Sequence, residues 1–166
     1  RRVLFRSECI AERIANGERM ALVTDAGTPA ISDPGFMLVR ECIKRGVEVE
    51  CLPGATAFVP ALVNSGLAAD HFIFEGFLPH KKGRQTKIKQ IVDNEYTTIL
   101  YESPFRLVKT LEQLAEMAGP ERRVSVAREL TKIHEENVRG TLEEVIRYFK
   151  EKEVKGEIVI ILEGKD

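Results

Sequence analysis

Cysteine is scarce and badly spaced for cross-linking: Cys9, Cys42 and Cys51 are odd in number and include no CxxC pair. A disulfide framework and a zinc knuckle are unsupported, and a reducing, cytoplasmic compartment fits this usage. Long apolar runs are also missing. Stretches such as Ile158 to Leu162 are far shorter than the roughly 20 residues a membrane helix needs, and no signal peptide precedes them, so a soluble protein with no membrane partner is expected. Neither sign of charge dominates. The 25 Lys+Arg and 26 Asp+Glu give a formal net charge of -1, which by itself predicts no nucleic-acid partner. A GxGxxG loop and a Walker P-loop are both absent, which removes support for nicotinamide cofactors and P-loop nucleotide chemistry. His71, His80 and His134 lack metal-ligand spacing; surface or packing roles are their default, and no metal is expected.

What remains is an ordinary globular composition. At 166 residues, 43% apolar and 31% charged, the chain is long enough to bury roughly two-thirds of its unfolded surface, and disorder is excluded. Glu8 to Asn16 carries an apolar stripe through Ile10 and Ile14 and reads as a helix stopped at Asn16-Gly17. Met20 to Thr24 and Val47 to Leu52 read as strands. Between them a helix starts near Pro34 and stops at Arg45-Gly46. Ala55 to Asn64 reads as an apolar helix ended by Ser65-Gly66. This βαβα alternation predicts a parallel sheet.

Around Leu67 to His71 the pattern changes, and a domain boundary is expected there. Phe72 to Phe77 reads as an aromatic strand, Gly83 to Asn94 as a basic amphipathic helix, and Thr97 to Tyr101 as a strand. Pro104 to Ala118 follows as a helix with Leu107, Leu111 and Leu114 on one face. Arg123 to Leu130 and Glu136 to Arg139 are short strands. Thr141 and Glu144 have capping-box spacing at the start of a helix running to about Lys152, and Glu157 to Leu162 closes as a buried strand.

The chain does not begin with Met, and Arg1 to Ser7 stand outside the helical stripe. The heptapeptide resembles one reading frame of a common sequencing-library adapter, so residues 1–7 are expected to be a non-native leader; a disordered basic tail is the alternative.

Four loops have residues suited to chemistry. Asp25-Ala26-Gly27-Thr28-Pro29-Ala30-Ile31-Ser32-Asp33-Pro34-Gly35 leaves a strand at its carboxyl end, where open α/β sheets bind ligands. Asp25 suits a ligand hydroxyl or ammonium and Gly27 a close backbone approach; plain turn and helix capping by Asp25 and Asp33 is the alternative. Cys51-Leu52-Pro53-Gly54-Ala55-Thr56-Ala57 leads into a helix whose amides suit an anion. Tyr101-Glu102-Ser103-Pro104-Phe105-Arg106 ends a strand, with Ser103 equally readable as an N-cap. Ala127 to Glu136 is dense in charge, which a solvated face also explains.

In combination, DAGTPAISDPG, PGATA, FEGFLP, YESPFR, ARELTKIHEE and KGEIVIILEG resemble, in this order, the ribosomal small subunit methyltransferase I group of the tetrapyrrole methylase superfamily. The resemblance runs from Glu8 to Gly164. It implies two α/β domains of the tetrapyrrole methylase type with the cofactor cleft between them, residues 8–68 being the remainder of an incomplete N-terminal domain and residues 69–166 the C-terminal domain. It implies a homodimer that uses S-adenosylmethionine to methylate the ribose 2′-hydroxyl of a cytidine in the decoding region of 16S ribosomal RNA. On this sequence the implied cofactor residues are Asp25, Gly27 and Ile31, then Thr56 and Ala57, then Leu100, Tyr101, Arg128, Glu129 and the Gly156-Glu157 pair. The family's opening strand and Pro-Ile-Gly-Asn loop have no counterpart here.

Methyl transfer from a sulfonium depends on in-line positioning and needs no metal. Glu102, Glu129 and His134 are all candidates for the general base, and the sequence leaves the catalytic residue unassigned. RNA binding asks for local cations. His80 to Lys89 holds Lys81, Lys82, Arg84, Lys87 and Lys89 with no acid, a plausible phosphate track that Arg106, Lys109, Arg122 and Arg123 extend; a solvated helix face is the alternative. Two other functions stay open: the same fold acting on a tetrapyrrole or a protein side chain, and a non-catalytic RNA-binding or dimerisation module.

Overall fold

The computed structural model describes residues 2–165. By compactness the chain divides into residues 1–56 and 57–166.

In the first unit, α1 (Arg2–Ala15) and α2 (Phe36–Lys44) pack together and bury Ala11 and Cys42. Residues 2–7 belong to α1 without interruption, so the expected break before Glu8 is corrected. Once a turn has nucleated, each added residue gains a backbone bond at little cost. The stop is as expected: the Gly17 amide donates to the Ile14 carbonyl at 2.9 Å. The helix expected from Pro34 begins at Phe36, after Gly35. On α2, the buried Glu41 accepts from Lys44 Nζ and from Arg45 Nη1, each at 2.9 Å. These bonds hold its carboxyl below the usual range.

Met20 to Thr24 and Val47 to Leu52 do not form strands, so the predicted parallel sheet is absent from the described residues of this unit. A strand with two apolar faces is stable only where neighbours supply ladder bonds and cover both faces. Here Leu22, Val23 and Leu52 remain exposed.

The second unit begins with α3 (Phe58–Ser65), followed by β1 (Phe72–Phe77), α4 (Arg84–Val92), β2 (Thr97–Glu102) and α5 (Leu107–Ala118). β3 (Arg123–Arg128), β4 (Glu136–Thr141), α6 (Leu142–Lys150) and β5 (Ile158–Leu162) complete it. The five strands form one sheet in the order β1-β2-β5-β3-β4. β1 and β2 are parallel, and every other neighbouring pair is antiparallel. The sheet is thus mixed, with β5 threaded between two strands that run together.

Period-2 alternation sends the side chains to two different cores. Leu100, Val124, Val126, Ile158, Ile160 and Leu162 share one buried cluster with Leu107, Leu111 and Leu114 of α5 and Leu142, Val145 and Phe149 of α6. Ile99, Ala127, Val159 and Ile161 face the other way and bury Ala61 and Leu62 of α3. Both faces being covered explains why β5 is apolar at every position. It also explains why α3 groups with the sheet, ahead of the Leu67 to His71 segment. α6 opens as predicted: Thr141 Oγ1 accepts from the Glu144 amide at 3.2 Å, and Glu144 Oε2 accepts from the Thr141 amide at 2.9 Å.

Candidate functional site

The topology brings three of the sequence motifs to one edge of the sheet. β1, β2 and β3 all end there, and β5 starts there. The register aligns Glu102 with Ile158 and Ile158 with Arg128, while Arg128 pairs with Glu136. Tyr101-Glu102-Ser103, Arg128-Glu129 and Gly156-Glu157 therefore converge although they are far apart in sequence.

Glu102 is 3% exposed and faces α5. Its Oε1 accepts from the Ser103 amide at 2.7 Å and from Arg106 Nε at 2.9 Å, and its Oε2 accepts from Thr110 Oγ1 at 2.6 Å. Arg84, also buried, donates from Nη2 to Thr110 Oγ1 at 2.6 Å, from Nε to Gln113 Oε1 at 2.8 Å and from Nη1 to the Pro79 carbonyl at 3.1 Å. Arg106 extends beyond Glu102 to meet the His80 ring. One buried network thus ties the loop before α4 to the loop before α5.

A second cluster lies at the ends of β3 and β5. Glu129, at φ +50°, accepts through Oε1 from the Glu157 amide at 2.8 Å and from Lys132 Nζ at 2.9 Å. The Glu157 amide and Lys132 hold the Glu129 carboxyl below the usual carboxylate range. Gly156 sits beside it at φ +91°, where an added Cβ would come within 2.3 Å of the Glu129 carboxyl carbon. Only glycine fits both the backbone and the neighbour. Arg128 donates from Nε to Glu136 Oε2 at 3.0 Å and from Nη1 to the Lys155 carbonyl at 3.2 Å. Burial raises the Glu136 carboxyl, but bonds from Tyr148, Lys152 and Arg128 outweigh it and lower it overall.

In the first unit the two Gly/Pro loops meet. Thr28 donates to the Ala55 carbonyl from its amide at 2.9 Å and from Oγ1 at 3.1 Å. Thr24 Oγ1 donates to Asp33 Oδ2 at 2.7 Å, so Asp33 closes the loop on itself. Gly27, at φ +74°, lies where a Cβ would stand 3.1 Å from the Ala55 oxygen. Asp25 and Ile31 are exposed on this loop, and Thr56 is half-buried. An exposed carboxylate on this loop suits a ligand with hydroxyl or ammonium donors.

The other predicted residues fall into different environments. Ala57 precedes α3 as its N-cap. Tyr101 packs edge-on against Phe74 and Phe77, with ring centres 5.1 and 5.6 Å away. The Leu100 side chain is fully buried against α5. Arg84 is corrected: its guanidinium is consumed inside the fold and does not belong to a surface track. Lys87 bonds Glu75 at 2.6 Å, whereas Lys81, Lys82 and Lys89 are exposed. Of the candidate bases, Glu102 accepts through both carboxylate oxygens, Glu129 accepts through Oε1, and His134 lies exposed in the loop after Glu129.

Thr110, Gln113 and His80 were not singled out from sequence as parts of this network. Thr110 lies eight residues beyond Glu102, on the α5 face that carries Leu107, Leu111 and Leu114, a spacing that could have flagged it. A cavity of about 290 Å³ opens at the opposite edge of the sheet, lined by Asp70, His71, Glu95 and Tyr96 among others. None of the residues assigned to cofactor or RNA lines it.

Residues 5–146 match the family description Tetrapyrrole (Corrin/Porphyrin) Methylases. The chain belongs to the tetrapyrrole methylase family. Within this family it is 48% identical over 160 residues to a protein of Synechocystis sp. named Ribosomal RNA small subunit methyltransferase I, covering 96% of this chain and 57% of that one. A Thermotoga maritima protein of the same name is 43% identical over 153 residues, covering 92% of this chain and 68% of the relative. The chain thus spans a little over half of the first relative's length. Among solved structures, the methyltransferase CobJ superposes with a TM-score of 0.70 at 21% identity, covering 97% of this chain and 71% of that one. Uroporphyrin-III C-methyl transferase from Thermus thermophilus, complexed with S-adenyl homocysteine, gives a TM-score of 0.63 at 21% identity, with 94% and 71% covered. At that identity the likeness establishes the fold.

Proposed function

We propose that this chain is part of an S-adenosylmethionine-dependent methyltransferase acting on the 2′-hydroxyl of a cytidine ribose in the decoding region of 16S ribosomal RNA. The observation that carries the reading is the convergence of YESP, RELTK and KGEI on one sheet edge, in a chain 43–48% identical to proteins named as small subunit ribosomal RNA methyltransferases. We assign cofactor contacts to Asp25, Gly27, Ile31 and Thr56 in the first unit, and to Ala57, Tyr101, Arg128, Glu129 and Glu157 in the second. These residues fit such a ligand: Asp25 is an exposed acceptor, and no side chain screens the Gly27 backbone. A homodimer in the cytoplasm, working on the small subunit, completes the proposal.

When bound, S-adenosylmethionine supplies an electrophilic methyl group on sulfur. The chain's own contribution is positional, since holding an acceptor in line can supply much of the barrier reduction. Glu102 orients Ser103 and Arg106, and Glu129 orients the Glu157 amide. Each carboxylate holds neighbouring donors in place and is a positioning residue in this reading. Lys81, Lys82 and Lys89 are the exposed cations suited to phosphates.

The test is a chimera in which the Synechocystis relative supplies the sequence outside the matched region and this chain supplies the rest. Incubated with small ribosomal subunits and methyl-labelled cofactor, it should label ribose in 16S RNA. A chimera that binds cofactor but labels protein or a tetrapyrrole would contradict the acceptor assignment.

A further inference from the structure

Two apolar side chains at the motif-bearing sheet edge are almost fully exposed: Phe105 at 95% and Ile133 at 96%. A phenyl ring left in water forgoes the gain of burial, so a ring presented on a firmly held loop calls for a partner. The Phe105 loop is firmly held. The Ser103 amide is bonded to Glu102, the Arg106 amide donates to the Ser103 carbonyl at 3.0 Å, and the Arg106 side chain is fixed between Glu102 and His80. These bonds flank Phe105 on both sides and leave its ring outside.

Charge separates the two candidates. Ile133 sits in a loop where Glu129 and Glu135 outnumber Lys132, which is itself paired with Glu129 and Glu157. Phe105 adjoins Arg106, whose contact with His80 brings the His80-Lys81-Lys82 segment alongside. An aromatic ring beside cations, with the one nearby acid, Glu102, buried and paired to Arg106, is the combination that binds single-stranded nucleic acid, where bases stack and cations track phosphates.

We propose that Phe105 is a stacking platform for one unpaired base of the RNA substrate, with Lys81 and Lys82 holding the adjoining phosphates. The inference rests on the RNA reading above and names the side chain that engages the unpaired strand. Rigidity matters here, because a ring already held in position loses little freedom on stacking.

The test measures binding of this chain to a short fluorescein-labelled single-stranded RNA and to its duplex, and then to a strand carrying 2-aminopurine. Phe105→Ala should weaken single-strand binding about tenfold, in line with alanine substitutions at stacking residues, while duplex binding and the unfolding midpoint stay unchanged. Phe105→Trp should restore single-strand affinity and quench 2-aminopurine. Lys81→Gln with Lys82→Gln should weaken both RNAs. Phe105→Ala binding like the unsubstituted chain, with the lysine variant weakened, overturns the stacking proposal and leaves the RNA reading standing. An unsubstituted chain that binds neither RNA overturns both. If Phe105→Ala dissociates a dimer while RNA affinity is unchanged, the ring serves a second copy of the chain and the proposal fails.

Discussion

Arg106 reaches from the buried carboxylate of Glu102, 2.8 Å from its guanidinium, to the ring of His80, 26 residues back in the sequence. This single side chain couples the interior of the second unit to the loop that presents Lys81 and Lys82. Removing its inner partner should therefore be costly. Glu102→Ala leaves Arg106 and Thr110 without their buried acceptor and Arg84 without an ion-pair partner 3.7 Å away, and is expected to destabilise the fold by about 3–5 kcal/mol, the usual penalty for breaking a buried pair. Urea denaturation measures it, and a loss below ~1 kcal/mol would show the network to be dispensable.

Arg84 and the neighbouring lysines have opposite roles despite their shared charge. Arg84→Met should cost about 3 kcal/mol or more in stability, because Thr110, Gln113 and the Pro79 carbonyl lose a buried donor and Glu102 loses a counter-ion. Lys81→Gln with Lys82→Gln should stay within about 0.5 kcal/mol and reduce the slope of log affinity against log salt by about 1.4 for single-stranded RNA. Paired urea and salt titrations separate the two effects. An unchanged salt slope would return the lysines to a merely solvated surface.

Glu129 gives the loop after β3 a pH dependence of defined sign. Its carboxyl titrates below the usual carboxylate range, mainly through the Glu157 amide and then Lys132. The stabilisation it provides is present above the ordinary value of roughly 4.3 and disappears as pH falls through the depressed one. Hydrogen exchange at the Glu157 amide, corrected for intrinsic rate, should be slow and constant from neutral to mildly acidic pH and lose protection only in stronger acid. Gly156→Ala should abolish that protection at neutral pH and cost at least ~1 kcal/mol, since its φ is +91° and the new Cβ meets Glu129. Retained protection in Gly156→Ala would refute the contact.

Asp25 is exposed at the start of a loop closed by other residues, so its removal should act on ligand and not on folding. Asp25→Ala is expected to weaken S-adenosylmethionine binding by ~1–3 kcal/mol with the unfolding midpoint unchanged. Calorimetric titration of the Synechocystis chimera provides the measurement, and equal affinity removes Asp25 from the site.

The sheet of the second unit was legible because its signals are local. β1 lies where the aromatic run predicted it, and the Thr141-Glu144 spacing located α6. Met20 to Thr24 and Val47 to Leu52 misled for a related reason: their apolar patterning reports what a strand needs on both faces, but ladder partners are a property of the whole sheet. Arg84 was misread because a run of cations looks uniform in sequence. The helix turns one of them inward, and Thr110 and Gln113 on α5 supply the partners that make burial tolerable. The convergence of Glu102, Arg128 and Glu157 came from topology alone, through β5 inserted between β2 and β3.

The most direct test of the central claim is transfer of labelled methyl from S-adenosylmethionine to purified small ribosomal subunits by the chimera carrying residues 8–165 of this chain. The account predicts label in 16S RNA, recovered as a 2′-O-methylated cytidine after nuclease digestion. Label recovered only in ribosomal protein, or on a base instead of a ribose, would contradict it.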